Sequence, residues 1–170
     1  VINLARGFSE VEKKLSTMGD KNPGEVLKTV GMTLVSTVGG ASGPLYGTGF
    51  MKMGMELKDT ADVTVEDFVR VFQVAIECMS LRGKSTTGEN TMLDSMVPAK
   101  NAMEEALAAG KSPKEAVACG VAAAKEGIEY TKTIAATKGR ASYLGDRSIG
   151  HQDPGATSFT MMLEILEGEL

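Results

Sequence analysis

The sequence predicts an all-α protein. Apolar residues recur at helical spacing along most of the chain, several segments open with a capping residue followed by proline, and no stretch alternates as a strand would. The connections between the periodic stretches are mostly short. Neighbouring helices are therefore expected to pack antiparallel, in an up-and-down bundle or barrel.

The elements are expected in this order. Leu4 to about Met18 carries Phe8, Val11 and Leu15 at helical spacing, and Gly19-Asp20-Lys21 breaks it. Asn22-Pro23-Gly24-Glu25 is a cap, a first-turn proline and an acid at the third helical position, opening a helix to about Val38 that Gly39-Gly40 stops. Ser42-Gly43-Pro44 starts a third helix, reaching about Leu57. Thr64-Val65-Glu66-Asp67 caps an amphipathic helix with Phe68, Val71, Phe72, Ala75, Ile76 and Met79 on one face, ending at Arg82-Gly83-Lys84. A fifth helix, about Thr91 to Ala109, contains Pro98, which should bend it. Ser112-Pro113-Lys114-Glu115 is a capping box opening a long Ala-rich helix to about Ala136. A seventh runs from Pro154 to about Glu167, with Asp153 as N-cap.

Bulk properties bound the function classes. With 170 residues the chain suits one domain with a real core. A net charge of -4 gives no general reason to expect nucleic acid, and no apolar run approaches a membrane span or a signal peptide. Cys78 and Cys119 fit buried free thiols in a reducing compartment, consistent with a cytoplasmic location. His151 is the only histidine, so a His-rich metal site is excluded. The 11 methionines suit gap-filling between helices. The opening Val-Ile-Asn-Leu-Ala-Arg-Gly-Phe offers neither an initiator Met nor a cap, and an upstream segment is expected.

In an up-and-down arrangement alternate loops share an end. Loops 19–23, 59–63 and 110–112 are plain connections, whereas 39–43, 82–90 and 137–153 concentrate glycine, serine and positive charge. Gly39-Gly40-Ala41-Ser42-Gly43 before a helix start resembles a phosphate cradle, although paired glycines also simply end helices. Gly145 to Ser158 packs Asp146, Arg147, His151 and Asp153 into a polar loop that enters a helix. It suits either a polar ligand at the positive helix end or an ordinary cap. Arg140 and Arg147 can supply planar donors to phosphate or stay solvated, and His151 is either a ligand contact or a loop hydrogen-bonder. Glu89 and Asp94 are candidate metal ligands, but no closely spaced carboxylate cluster occurs, which argues against Mg²⁺-dependent phosphoryl transfer by these residues alone.

Four stretches carry a family resemblance: Gly31 to Gly47, Arg82-Gly83-Lys84, Thr91-Met92, and Lys138 to Ser158 with its Gly-Asp-Arg-Ser-Ile-Gly-His-Gln-Asp-Pro-Gly-Ala-Thr-Ser run. On these the chain resembles the nucleotide-binding L subunits of bacterial dihydroxyacetone kinase, over essentially all its length. The resemblance implies a closed barrel of eight antiparallel helices, seven of them present here. It implies bound ADP or ATP with two Mg²⁺ ions. The nucleotide would relay a phosphoryl group from a phosphohistidine on an M subunit to dihydroxyacetone on a K subunit.

By that resemblance Ala41 and Ser42 would contact phosphates, and Gly83 and Met92 would border adenine. Arg140 and the Asp153-Pro154-Gly155 turn would contact the nucleotide, and Asn3 would lie near the phosphates. No catalytic residue is implied. The family's Mg²⁺-binding aspartates would precede Val1, which stands where the family has glycine, so no metal ligand is expected in the chain itself. Two other readings stay open: an ATP-dependent dihydroxyacetone kinase component, or a nucleotide-responsive regulatory module without catalysis.

Overall fold

The computed structural model describes residues 2–170. Seven α-helices follow in order: α1 Ile2–Ser16, α2 Pro23–Thr37, α3 Ser42–Glu56, α4 Val65–Gly83, α5 Leu93–Ala108, α6 Pro113–Thr131 and α7 Pro154–Glu169. An eighth helical segment, of 3₁₀ type, spans Arg140–Ser148 between α6 and α7. No strand occurs among the described residues. The fold class and the seven α-helices match expectation. The 3₁₀ segment lies inside what the sequence presents as a loop. The reading of Val1 falls outside the described residues.

The chain forms two compact units, residues 1–83 and 84–170. In the first, α1 packs on α2, α2 on α3 and α3 on α4. The antiparallel α2–α3 pair packs closely because glycines seven residues apart on each helix remove the side chains that would hold the backbones apart. Gly24 at the start of α2 meets the Gly54 carbonyl and Lys58, at and beyond the end of α3. Seven residues on, Gly31 meets Gly47 and Met51; a Cβ at Gly31 would sit 2.5 Å from the Gly47 carbonyl oxygen. Met53, Leu57, Val71 and Ala75 form the buried cluster beneath α3 and α4, with Leu27 and Phe50 against it. The Met, Leu and Val side chains, taken fully from water, contribute about 1.5–3 kcal/mol each. Phe68 stacks on Phe72 at 5.6 Å, and Phe8 meets Phe50 edge-on at 6.2 Å.

The anticipated caps form. Asn22 accepts from the Glu25 N–H (2.9 Å), Glu25 accepts in return from the Asn22 N–H (3.3 Å), and the Asn22 amide donates to the Lys58 carbonyl (3.1 Å). Ser112 and Glu115 repeat the reciprocal pair at α6. Thr64 and Asp67 do the same at α4.

In the second unit α5 packs on α6, and α7 packs on both. Gly120 lies against Met103 and Ala99, and Gly127 against Asp94 and Ser95, so α5 and α6 are also antiparallel. The sequence carries α6 to about Ala136, yet it ends at Thr131. The reason is competition. Thr131, Thr133 and Ile134 are β-branched and disfavour helix, and the following backbone finds better partners elsewhere. The Ile134 carbonyl accepts from Asn90 Nδ2 (3.1 Å), Ala136 N–H donates to Ser148 Oγ (2.8 Å), and Thr137 N–H donates to the Glu89 carbonyl (3.2 Å). Cys78 and Cys119 are free, as expected, but half-buried rather than buried.

Candidate functional site

The second unit brings the loop 84–92 together with the segment 131–150 and the start of α7 that follows it. The loop takes left-handed backbone at Lys84 (φ 48°), Gly88 (φ 85°) and Asn90 (φ 58°). Such turns leave amide groups pointing inward, and these need acceptors. Asp94, 2% exposed, supplies them: one carboxylate oxygen accepts from Gly88 N–H at 2.5 Å, the other from Thr91 N–H at 2.9 Å. Thr91 Oγ1 accepts from Leu93 N–H at 3.2 Å, so α5 opens on Met92 with no free turn before it.

Glu89 fastens the same loop outward. Its carboxylate accepts from Thr86 N–H (2.8 Å) and the Thr137 hydroxyl (3.3 Å) and lies 3.7 Å from Lys138 Nζ. The Thr86 N–H foremost, then Ser85, Lys138 and Thr137, hold this carboxyl below its ordinary range against a desolvation cost. Asp94 and Glu89 thus spend their oxygens on the loop's own donors. Among the described residues no group of three His, Cys, Asp or Glu is placed together.

The start of α7 is held from α6. Thr131, fully buried, donates its hydroxyl to the Ile128 carbonyl (2.6 Å) and accepts from Asp153 N–H (3.1 Å). Gly150 N–H donates to the Lys132 carbonyl (2.8 Å), and Ser148 Oγ donates to the Gly145 carbonyl (2.6 Å). Asp153 then caps the helix, its Oδ2 accepting from Ala156 N–H at 2.7 Å. The α7 terminus is therefore occupied by a carboxylate of the chain itself. An incoming anion would have to displace it, so this end suits the neutral or donor part of a ligand.

Burial pushes the Asp153 carboxyl up to about 6. The Ala156 and Gly155 N–H groups oppose the rise, and the nearby Asp94 adds to it. Gly155 is a close-approach position: a Cβ there would lie 3.1 Å from both Cβ and Cε of buried Met92. Of the sequence-predicted residues, Met92, Asp153 and Gly155 are thus adjacent, with Pro154 exposed beside them.

The other predicted residues are placed as follows. Arg140 is exposed at the first turn of the 3₁₀ segment, and Arg147 and His151 are exposed near its end. In the first unit, Asn3 is exposed on α1, Gly83 is the last residue of α4, and Ala41 is the exposed N-cap of α3, followed by half-buried Ser42. No side chain caps α3. Gly40 has φ 76°, and a Cβ at Gly43 would collide with the Val38 carbonyl oxygen, so this turn requires glycine at those two positions. Backbone amides at such a start are open to an anion.

Sequence reasoning missed Thr131, Ser148 and Asn90, the hydroxyls and amide that tie the pieces together. It noticed Asp94 only as a possible ligand. Thr91-Met92-Leu93-Asp94 does carry a signal: a hydroxyl residue followed three positions on by an acid is how helix starts are closed.

A DAK2 domain profile matches residues 1–168. The chain is 42% identical over 165 residues to the PEP-dependent dihydroxyacetone kinase, ADP-binding subunit DhaL, of Escherichia coli K12, covering 97% of this chain and 79% of that one. It is 40% identical over 164 residues to the PTS-dependent dihydroxyacetone kinase, ADP-binding subunit DhaL, of Lactococcus lactis, covering 96% and 77%. Among solved structures it is similar to the dihydroxyacetone kinase of C. freundii, native form, with a TM-score of 0.65 and 26% identity over 88% of this chain and 24% of that one. The same kinase in complex with AMP-PNP and Mg²⁺ gives 0.61. The chain belongs to the DAK2 domain family.

Proposed function

We propose that this chain is the ADP-binding subunit of a dihydroxyacetone phosphotransferase. Its bound ADP/ATP takes a phosphoryl group from a phosphohistidine-carrying M subunit and passes it to dihydroxyacetone on a K subunit. The observation that carries the reading is the contact of Met92 with Gly155 beside the Asp153 cap, two separate pieces of the resemblance brought into one place. The similarity to ADP-binding subunits over more than three-quarters of their length favours this over an ATP-dependent fused kinase.

In the proposed site Met92 borders the adenine ring, and its thioether supplies a polarizable apolar surface; Gly83 is given the same role by the family resemblance alone. Asp153, Pro154 and Gly155 form a turn against the nucleotide, with the Asp153 carboxylate facing donors rather than phosphate. Ala41 and Ser42 offer the uncapped amides of α3 to phosphate oxygens. Asn3 lies near the phosphates and Arg140 supplies a charge-assisted contact. Two Mg²⁺ ions belong to this reading through the family resemblance alone. The described residues offer no group of three His, Cys, Asp or Glu, and no step is assigned to them for metal. When bound, the nucleotide carries the phosphoryl group; the chain's residues bind and orient it. Among the described residues no helix is long and apolar enough to cross a membrane. The proposed location, the cytoplasm, rests on the family resemblance.

The test is phosphoenolpyruvate-driven phosphorylation of dihydroxyacetone by the full-length protein with K and M partners. Turnover that depends on M supports the proposal. Turnover from free ATP without M points to the ATP-dependent reading. Nucleotide binding with no turnover under either condition points to a regulatory module. Within the same assay, Arg140→Ala is expected to lose retained ADP after desalting by roughly 10-fold or more, the value of one hydrogen bond to a charged group. Arg70→Ala serves as control. Its guanidinium only reaches Glu56 and Asp67 at 3.8 Å on an exposed helix face, and retention should be unchanged. Equal losses would remove Arg140 from the site.

A further inference from the structure

We infer that Asp94 is a positioning residue for the nucleotide, its buried carboxylate gripping the Gly88 and Thr91 amides so that Met92 is presented against Gly155. The inference rests on the nucleotide reading above and adds to it a residue that never touches the ligand.

Three features carry it. First, the bonded amides flank a left-handed turn at Gly88 and Asn90, a backbone that keeps its shape only when the surroundings hold it. Second, Asp94 is itself fixed from behind. Gly127 of α6 approaches the Asp94 carbonyl so closely that a Cβ would collide with it. Third, the loop is anchored again beyond the carboxylate. Asn90 Nδ2 donates to the Ile134 carbonyl, and Glu89 fastens to Thr137 and Lys138, three and two residues before Arg140. One buried carboxylate therefore sets the loop that bears Met92, and the same loop is tied to the stretch leading into Arg140.

The test compares Asp94→Asn with Ser95→Ala in the full-length protein. Ser95 neighbours Asp94 and donates to the Ala124 carbonyl (3.0 Å), so its loss weakens α5–α6 packing without touching the loop. ADP affinity is measured by calorimetry well below the unfolding temperature, and amide exchange at Gly88 and Thr91 by NMR. Asp94→Asn keeps the shape but faces an amide donor toward an amide donor. It is expected to weaken ADP about 10-fold or more and to speed exchange at both amides. Ser95→Ala should lose unfolding temperature only. If Asp94→Asn does not fold, Asp94→Glu, which keeps the charge and moves it by one methylene, is read the same way. Wild-type binding with unaltered affinity in the Asp94 variant overturns this inference alone. Failure of the wild type to bind ADP overturns the nucleotide reading and this inference with it.

Discussion

Alanine at Gly127 should destabilise the protein by roughly 1–3 kcal/mol, the usual cost of forcing a methyl group into a packed interior. The residue lies mid-α6, where alanine would ordinarily gain about 1 kcal/mol of helix propensity. That gain is overridden because the new Cβ would meet backbone: the Asp94 carbonyl oxygen and, at 2.7 Å, the Ser95 Cα. Backbone cannot rotate aside as a side-chain tip can, so α6 and α5 must separate. The separation falls at the residue that holds the 84–92 loop, so ADP retention should fall along with stability. Urea unfolding measures the first effect and desalting the second. Gly168→Ala, near the end of α7 with open space around its Cβ, should change stability by less than about 0.5 kcal/mol. If both substitutions behave alike, the close approach of α5 and α6 is not as described.

Asp153→Asn should make the protein more stable at neutral pH while loosening its hold on ADP. The folded carboxyl titrates at about 6, above its ordinary 3.8. Between those values the folded state holds the proton more firmly than the unfolded chain. This group's contribution to stability is therefore fully present at acid pH and is lost as pH rises through that window. The charged form at pH 7 costs on the order of 2–3 kcal/mol. Asparagine is as good an N-cap as aspartate and keeps an oxygen for the Ala156 N–H. It carries no charge to desolvate and none to repel Asp94. A gain of about 1–2 kcal/mol at pH 7 is expected, shrinking toward zero near pH 4, in unfolding measured across that range. A variant less stable than wild type at pH 7, with a parallel pH profile, would mean that the charged carboxylate is well accommodated. A stabilised variant that binds ADP more weakly is the trade-off expected where a strained group is kept for binding.

What could be read from the amino acids follows from how local each signal is. Asn22, Ser112 and Asp153 cap their own helices within three residues, so those starts were legible. The end of α6 was not, because Asn90, Ser148 and Glu89 draw residues 134–137 out of the helix from 12 to 48 positions away. The 3₁₀ segment was hidden for a related reason: Gly145 interrupts its helical backbone (φ 55°, ψ −132°), so no apolar period develops. In the candidate site, Met92 and the Asp153-Pro154-Gly155 turn were named through resemblance. Thr131 and Ser148 were not, since a buried threonine and serine have no pattern of their own. Asp153 takes the N-cap role expected of it, and its own carboxylate fills the helix end.

Amide exchange of the full-length protein with and without ADP bears on the whole reading at once. ADP should slow exchange at residues 39–43, at 86–92 and at 151–156, with the remaining helices unchanged. Bound ADP with no slowing at 86–92 and 151–156 would place the nucleotide elsewhere and contradict the assignment of Met92 and Asp153 to its site.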